Sequence, residues 1–337
     1  MRKILVVDDN KTTLRVINAQ LSNDYYVALA ASGEQALQIC AAGKPDLILL
    51  DVFMPGMDGF ETLRQIRANT QFIGIPVIFL TGSSETGVEV KGLSLGARDF
   101  LTKPVEKSVL IHRIDLHLRF AAYQARLEKM VRELSDSIAI SFAEMIEYRD
   151  ESTGGHVTRT GRLVRLLGNK LIETEAFGDE LTPAELDMMV RAAPLHDIGK
   201  IAISDRILLK PDRLDDEEFA VMKRHAPIGA SILQNMYRRM PTQRCLYYAS
   251  LIAASHHERY DGKGYPSGLA GKDIPLCGRV MAVADVYDAL TDDRVYRRGI
   301  DRAEAFNIIM EGRGTNFDPL IVDAFAALRQ DLANKDL

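Results

Sequence analysis

No stretch of this 337-residue chain stays apolar long enough to cross a membrane; each hydrophobic run stops short of the ~18 residues that a spanning helix needs. Cysteine is equally sparse. Cys40, Cys245 and Cys277 are odd in number and show no CxxC spacing, which argues against a disulfide framework and suits a reducing compartment. An excess of basic residues is missing too. The formal net charge is −5, so the electrostatic footprint of a nucleic-acid binder is absent and no DNA partner is expected. Nor is a signal peptide expected, since Met1-Arg2-Lys3-Ile4 runs directly into a strand pattern. These absences lead us to expect a soluble, cytoplasmic protein. What remains is an ordinary globular composition, 47% hydrophobic and 26% charged, at a length suited to two domains and a linker.

Through residues 1–120, apolar runs of strand length alternate with helical patterns. Strands are expected at 3–7, 27–30, 46–50, 76–80 and 98–101, and helices at 12–22, 33–42, 58–69, 85–95 and 105–119. Near-continuous runs such as Leu47-Ile48-Leu49-Leu50 suit strands buried on both faces. The alternation predicts a doubly wound α/β domain with a five-stranded parallel sheet, whose sites lie at the carboxyl ends of the strands. The polar residues stand at those ends: Asp8 and Asp9 after the first strand, Asp51 after the third, Thr81 after the fourth, Lys103-Pro104 after the fifth. Three converging carboxylates repel one another unless a hard cation joins them, and an oxygen-only donor set suits Mg²⁺. An aspartate beside such an ion is a plausible nucleophile for phosphoryl transfer, with Lys103 orienting a phosphoryl oxygen.

These motifs, with Asp51 inside Leu50-Asp51-Val52-Phe53-Met54-Pro55-Gly56-Met57-Asp58-Gly59, resemble the receiver domain of bacterial two-component response regulators. The resemblance implies that Asp51 is the phosphoacceptor and that a sensor histidine kinase supplies the phosphoryl group. It further implies that Asp9, Asp51 and the Phe53 carbonyl hold Mg²⁺ with help from Asp8, and that Thr81 and Phe100 form the switch pair.

From Val105 to about Arg149 the chain has no proline or glycine. Leu127, Leu134 and Ser141 repeat at seven, as do Val131, Ile138 and Met145, with Met130 between. A continuous helix pairing with its copy in a homodimer is one expectation; packing of the same stripe on the chain's own helical domain is the other. His112 and His117, among Arg113, Asp115 and Arg119, are expected to be solvated helix residues rather than ligands.

Beyond this linker strand patterns vanish. Thr182-Pro183-Ala184-Glu185 reads as a helix start, and its helix is expected to run to His196-Asp197. A helix from Asp215 is expected to end at His225, and one from Thr242 at His256-His257, so that ligands gather at three helix C-termini. His156 follows Thr153-Gly154-Gly155, and Asp285 is the one charge in Val280-Met281-Ala282-Val283-Ala284-Asp285-Val286. Five of the seven histidines fall between residues 156 and 257. Adjacent pairs such as His196-Asp197 and His256-His257 diverge around a helix and make sense when each member reaches a different atom of one cluster. Imidazole and carboxylate donors without thiolate suit Fe, Mn, Ni, Co or Zn, with Fe or Mn preferred here. Seven donors exceed one tetrahedral shell and point to two divalent transition metals, a pair that clamps the attacking and leaving oxygens of a phosphate displacement.

The motifs His196-Asp197-Ile198-Gly199-Lys200, His256 to Pro266 with Gly264-Tyr265-Pro266, Asp285 and Arg294-Val295-Tyr296-Arg297 resemble the HD-GYP domain, a metal-dependent branch of the HD phosphohydrolases. The resemblance implies hydrolysis of cyclic di-GMP to pGpG and on to GMP. It assigns His156, His196, Asp197 and Asp285 to one metal, with Asp197 bridging to a second metal held by His225, His256 and His257. Lys200 is placed to stabilise charge on the phosphoryl oxygens, Arg294 and Arg297 to grip phosphate, and Tyr265 to line the guanine pocket. It also implies docking of GGDEF-type diguanylate cyclases on the loop. Some members hold a third metal on a glutamate four residues before the first histidine; that position is Ser152 here, so two metals are expected. The resulting architecture is a receiver at 1–120, a helical linker at 121–150 and an all-α HD-type domain at 151–337. Two other readings stand beside it, a hydrolase for another cyclic dinucleotide and a binding or cyclase-recruiting module with little activity.

Overall fold

Five apolar runs become five strands: β1 Lys3–Val7, β2 Tyr26–Ala30, β3 Leu47–Asp51, β4 Val77–Thr81 and β5 Asp99–Thr102. The computed structural model describes residues 1–69, 71–82, 86–149, 155–292 and 299–333. It divides into two units, Met1–Arg132 and Glu133–Leu337. In the first, every neighbouring strand pair is parallel and the order is β2-β1-β3-β4-β5. Alternate residues bury on opposite faces, Leu5, Val7, Ile48, Leu50 and Phe79 on one, Ile4, Val6, Leu47, Leu49 and Ile78 on the other. This two-sided burial is why the strands read as unbroken apolar runs. The last three strands reach one residue further than their apolar runs. The ladder continues through Asp51 beside Leu80 and Thr81 beside Thr102, so the polar strand-end residues are held by sheet hydrogen bonds.

Helices α1 Lys11–Leu21, α2 Gly33–Ala42, α3 Gly59–Ala68 and α4 Thr86–Ser94 connect the strands. Asn10, Ser32 and Asp58 accept backbone N–H bonds at the starts of the first three, as N-cap side chains do. The expected helix at 105–119 and the linker after it are one element, α5 Lys107–Arg149, of 43 residues. With neither proline nor glycine, nothing in it interrupts the hydrogen-bond ladder. Leu116, Phe120, Tyr123, Leu127, Met130 and Leu134 follow one another at steps of four and three and all are exposed. Near its end the helix turns Ala143 and Ile146 inward, while Met145 stays exposed. His117 departs from the solvated reading: its Nε2 lies 2.9 Å from Asp99 Oδ2, which Arg113 Nη1 also approaches at 3.2 Å.

Among the described residues, the regular elements of the second unit are helices, apart from isolated bridges: α6 His156–Glu173, α7 Pro183–Ala192, α8 Asp205–Leu208, α9 Asp216–Met222, α10 His225–Arg239, α11 Arg244–Ser255, α12 Leu276–Thr291, α13 Arg302–Glu311, α14 Pro319–Ala327 and α15 Arg329–Ala333. Leu163, Val164 and Leu167 of α6, Met189 of α7, Ile252 of α11 and Val280, Met281 and Val283 of α12 meet in one core.

Two helix ends differ from expectation, and a proline stands at each. Thr182 caps α7 as predicted, accepting from Glu185 N–H, but the α-helix stops at Ala192. Pro194 has no amide to continue the ladder, so Ala193–Leu195 tightens into a 3-10 turn, and a second, Ile198–Ala202, follows Asp197. His225 opens α10 instead of closing α9; Pro227 then falls in the first turn, where its missing N–H costs nothing.

The turn Ile198–Ala202 rests on the first turn of α10 through Gly199. A Cβ there would stand 1.9 Å from the His225 carbonyl oxygen and 2.6 Å from the Gly229 nitrogen, both backbone atoms that cannot swing aside. Gly199→Ala should therefore lower unfolding stability by about 2 kcal/mol or more, read as a reduced midpoint in urea. An unchanged midpoint would contradict this close approach.

Candidate functional site

Four imidazoles of the second unit have one ring nitrogen already engaged. His196 Nδ1 lies 3.0 Å from the Ala193 carbonyl oxygen, His225 Nδ1 2.7 Å from that of Met222, and His256 Nδ1 3.0 Å from that of Ile252. His156 Nδ1 lies 2.7 Å from Asp288 Oδ2. A carbonyl can only accept, so Nδ1 carries the proton and the Nε2 lone pair is left pointing inward, the arrangement of metal-binding histidines. Asp288 is in turn gripped by Arg159, through Nε at 2.6 Å and Nη2 at 3.1 Å.

The free edges converge into two groups. Donor atoms of His156, His196 and Asp285 lie within 4.8 Å of one another, and so do those of Asp197, His225, His256 and His257. Asp197 faces both: Oδ2 is 3.3 Å from His196 Nε2, and Oδ1 is 3.3 Å from His225 Nε2 and 3.5 Å from His256 Nε2. His156 Nε2 stands 3.4 Å from His196 Nε2 and 3.5 Å from Asp285 Oδ1. All seven residues picked out by the sequence pattern are thus brought together. They do not gather at three helix C-termini, however: His256 follows α11, but His156 and His225 open α6 and α10.

The donor set passes a direct chemical test. Asp197 Oδ1, His225 Nε2 and His256 Nε2 are buried and have no hydrogen-bond partner among the described residues. Buried polar atoms without partners are costly, and a cation between these atoms would satisfy all of them. The charge balance without one is strained. Burial pulls His196 down, but the neighbouring carboxylates of Asp197 and Asp285 outweigh it and raise the ring to about 9. Burial and the ring of His256 hold His225 low and His257 lower still. Burial pushes the carboxyls of Asp197 and Asp285 up, yet Lys200 and His196 hold Asp197 well below the usual range, and His196 and His156 bring Asp285 to about 2.

Lys200 Nζ is 2.9 Å from Asp197 Oδ2, in the 3-10 turn rather than on a regular helix. Tyr265 lies on His257 with ring centroids 4.7 Å apart, and Phe219 meets its edge at 6.1 Å. Arg294 and Arg297 lie outside the described residues, as does Ser152.

Four residues with a part in this site escaped the sequence reading: Glu147, Arg159, Glu258 and Asp288. Asp288 stands one turn after Asp285 on the same face of α12, a spacing that could have signalled a supporting role. Glu147 lies on the inward face of α5, four residues after Ala143, and both its oxygens are buried without a hydrogen-bond partner among the described residues. Burial pushes its carboxyl up against the pull of His156, His196 and Lys200. Glu258 anchors the loop that carries Tyr265, accepting N–H bonds from Ser267 at 2.7 Å and Leu269 at 3.1 Å. Gly264 lets that loop close, since a Cβ there would be 2.3 Å from the Arg259 nitrogen.

At the carboxyl edge of the sheet, donor atoms of Asp8, Asp9 and Asp51 lie within 4.8 Å of one another. Lys103 Nζ reaches Asp8 Oδ2 at 2.6 Å and Asp51 Oδ1 at 3.0 Å. Burial raises the Asp51 carboxyl, partly offset by Lys103. The all-oxygen set fits a hard cation such as Mg²⁺. Thr81 is buried beside it, Phe53 projects its side chain outward, and Phe100 packs on Phe79 at 5.1 Å.

Comparison with known proteins agrees with this division. Residues 4–115 match the response regulator receiver domain and residues 141–321 match the HD domain. A probable cyclic di-GMP phosphodiesterase of Vibrio cholerae serotype O1 is 40% identical, over 98% of this chain and 79% of its own length. The cyclic di-GMP phosphodiesterase response regulator RpfG of Xanthomonas campestris pv. campestris is 36% identical, over 98% of this chain and 88% of its own. A cyclic di-GMP phosphodiesterase of Thermotoga maritima is 33% identical, over 98% and 91%. A receiver and an HD domain in one chain define a response regulator with an HD output domain. This chain belongs to the HD-GYP family of such regulators.

The Glu258 anchor makes a measurable demand. Glu258→Ala strips two loop amides of their acceptor, each worth about 1 kcal/mol or more when left buried. Hydrogen exchange at Ser267 and Leu269 should accelerate at least several-fold; rates equal to those of the native protein would show that the loop is held by other contacts.

Proposed function

We propose that this protein is a phosphorylation-controlled regulator whose HD domain hydrolyses cyclic di-GMP to pGpG and GMP at a dinuclear metal centre. The observation that carries this reading is Asp197, whose two carboxylate oxygens face two separate histidine groups with inward lone pairs. The names of the full-length relatives supply the substrate class.

His156, His196, Asp197 and Asp285 would hold one ion, and Asp197, His225, His256 and His257 the other. The donor chemistry suits iron, manganese, nickel, cobalt or zinc, of which we propose iron or manganese. When bound, such a pair supplies Lewis-acid polarisation of a phosphoryl oxygen and activation of water at neutral pH. The chain's own residues do the rest. Lys200, beside Asp197, stabilises negative charge growing on the phosphoryl oxygens. Tyr265 forms an aromatic wall next to His257, where a guanine face can lie. Asp288 and Arg159 hold the His156 ring in place. Arg294 and Arg297 remain proposed phosphate contacts.

Asp197→Ala removes the shared carboxylate and should abolish hydrolysis of cyclic di-GMP, with metal content falling from two equivalents. Wild-type turnover with both metals retained would refute the dinuclear assignment. Running cyclic GMP-AMP in parallel tests the rival substrate, which prevails if it is turned over faster.

Control enters through Asp51, which a sensor histidine kinase would phosphorylate with Mg²⁺ held by Asp8, Asp9, Asp51 and the Phe53 carbonyl. The exposed apolar stripe of α5, at the four-and-three spacing of a two-helix coiled coil, supports a homodimer as the state through which control acts. Asp51→Asn should leave the HD domain folded but make both activity and oligomeric state indifferent to acetyl phosphate. If the wild-type protein is already indifferent in both assays, the coupling is wrong while the phosphodiesterase reading stands.

A further inference from the structure

The long helix α5 ends in a carboxylate that neither the receiver nor the assigned ligand set uses. Glu147 is 91% buried, its side chain turned from the helix into the second unit with Ala143 and Ile146. It lines a small cavity with His196, Asp197 and Lys200. Neither oxygen has a hydrogen-bond partner among the described residues. A glutamate in that position is expensive unless something cationic meets it.

Its geometry says what that is. Glu147 Oε1 stands 3.7 Å from His156 Nε2. Two donors that each sit about 2.1 Å from one ion are about 3.0 Å apart at a right angle and about 4.2 Å apart in line. The distances among His156, His196 and Asp285, 3.4, 3.5 and 3.9 Å, fall in the same window. Charge points the same way. Two dications faced only by Asp197 and Asp285 would leave excess positive charge in a buried site, and a third carboxylate reduces it.

We infer that Glu147 is a further oxygen donor to the cation of His156, His196 and Asp285, joining at its His156 corner, so that α5 terminates in a metal ligand. This inference rests on the dinuclear reading above and extends it to a residue outside the matched motifs. It also gives metal binding a mechanical consequence, because an ion held at both ends of this contact ties the last turns of α5 to α6.

The test is metal titration of the metal-stripped full-length protein with Mn²⁺, followed by chelator competition, metal analysis and hydrogen exchange. Glu147→Gln keeps volume and removes charge. We expect one of two equivalents to weaken by about 10- to 100-fold while the other is retained, and Glu147→Asp to recover part of the loss. Mn²⁺ should slow amide exchange over residues 140–149 in the wild type and not in Glu147→Gln. The metal-free Glu147→Gln protein should melt no lower than wild type, which separates ligand loss from misfolding. Unchanged affinity for both equivalents in Glu147→Gln, with both weakened in Asp197→Ala, overturns this inference and leaves the dinuclear centre standing. A wild type that binds no divalent metal overturns both.

Discussion

The chemistry of the C-terminal unit depends on where four imidazoles dispose of one nitrogen each. A free imidazole can flip and exchange tautomers, and a flipped ring would carry its lone pair away from the others. Here the carbonyls of Ala193, Met222 and Ile252 each receive an Nδ1–H, and Asp288 receives that of His156. Met222 closes α9 and Ile252 lies in the last turn of α11, while the carbonyls of Ala193 and Ile252 also accept a backbone N–H, from His196 and His256. A carbonyl oxygen has two lone pairs, so acceptors at these helix ends and turns become the orienting groups of the site. The helices fix the lone pairs, and the lone pairs define where a cation can sit.

This explains why the ligand list was legible and the helix ends were not. His196-Asp197, His256-His257 and Asp285 stand out because polar residues interrupt apolar helical runs, a contrast visible without coordinates. The direction of a helix at a histidine is not visible in this way. Pro227, two residues after His225, is as compatible with a helix that has just ended as with one that has just begun. The contact that decides it is tertiary, the close approach of Gly199 to the first turn of α10. Pro194 likewise ended α7 early without changing which residues the following turns present.

The supporting residues were hidden for a different reason. Asp288, Arg159, Glu258 and Glu147 are charged residues on or next to helices, where charge is commonplace on a solvated face. Their roles appear only when burial and partners are known: Asp288 between Arg159 and His156, Glu258 under the Tyr265 loop, Glu147 without a hydrogen-bond partner among the described residues. The continuity of α5 was legible from its lack of proline and glycine. Which of its residues turn inward was not, since Ala143, Ile146 and Glu147 are separated from the exposed stripe only by rotation about one helix axis.

The two ends of the chain solve a similar electrostatic problem with different donors. Each gathers carboxylates and sets one lysine against them, Lys103 against Asp8 and Asp51, Lys200 against Asp197. In the receiver every donor is an oxygen, which suits a hard ion that keeps most of its water. In the HD domain imidazole nitrogens outnumber the carboxylates, which favours borderline transition metals. Donor chemistry therefore lets the two sites draw on different ions in the same solution. With the ions proposed for each, a chelator selective for transition metals would act on the output site and Mg²⁺ availability on the input. Under the proposed control, coupling between them would run along α5, the one described helix common to both units.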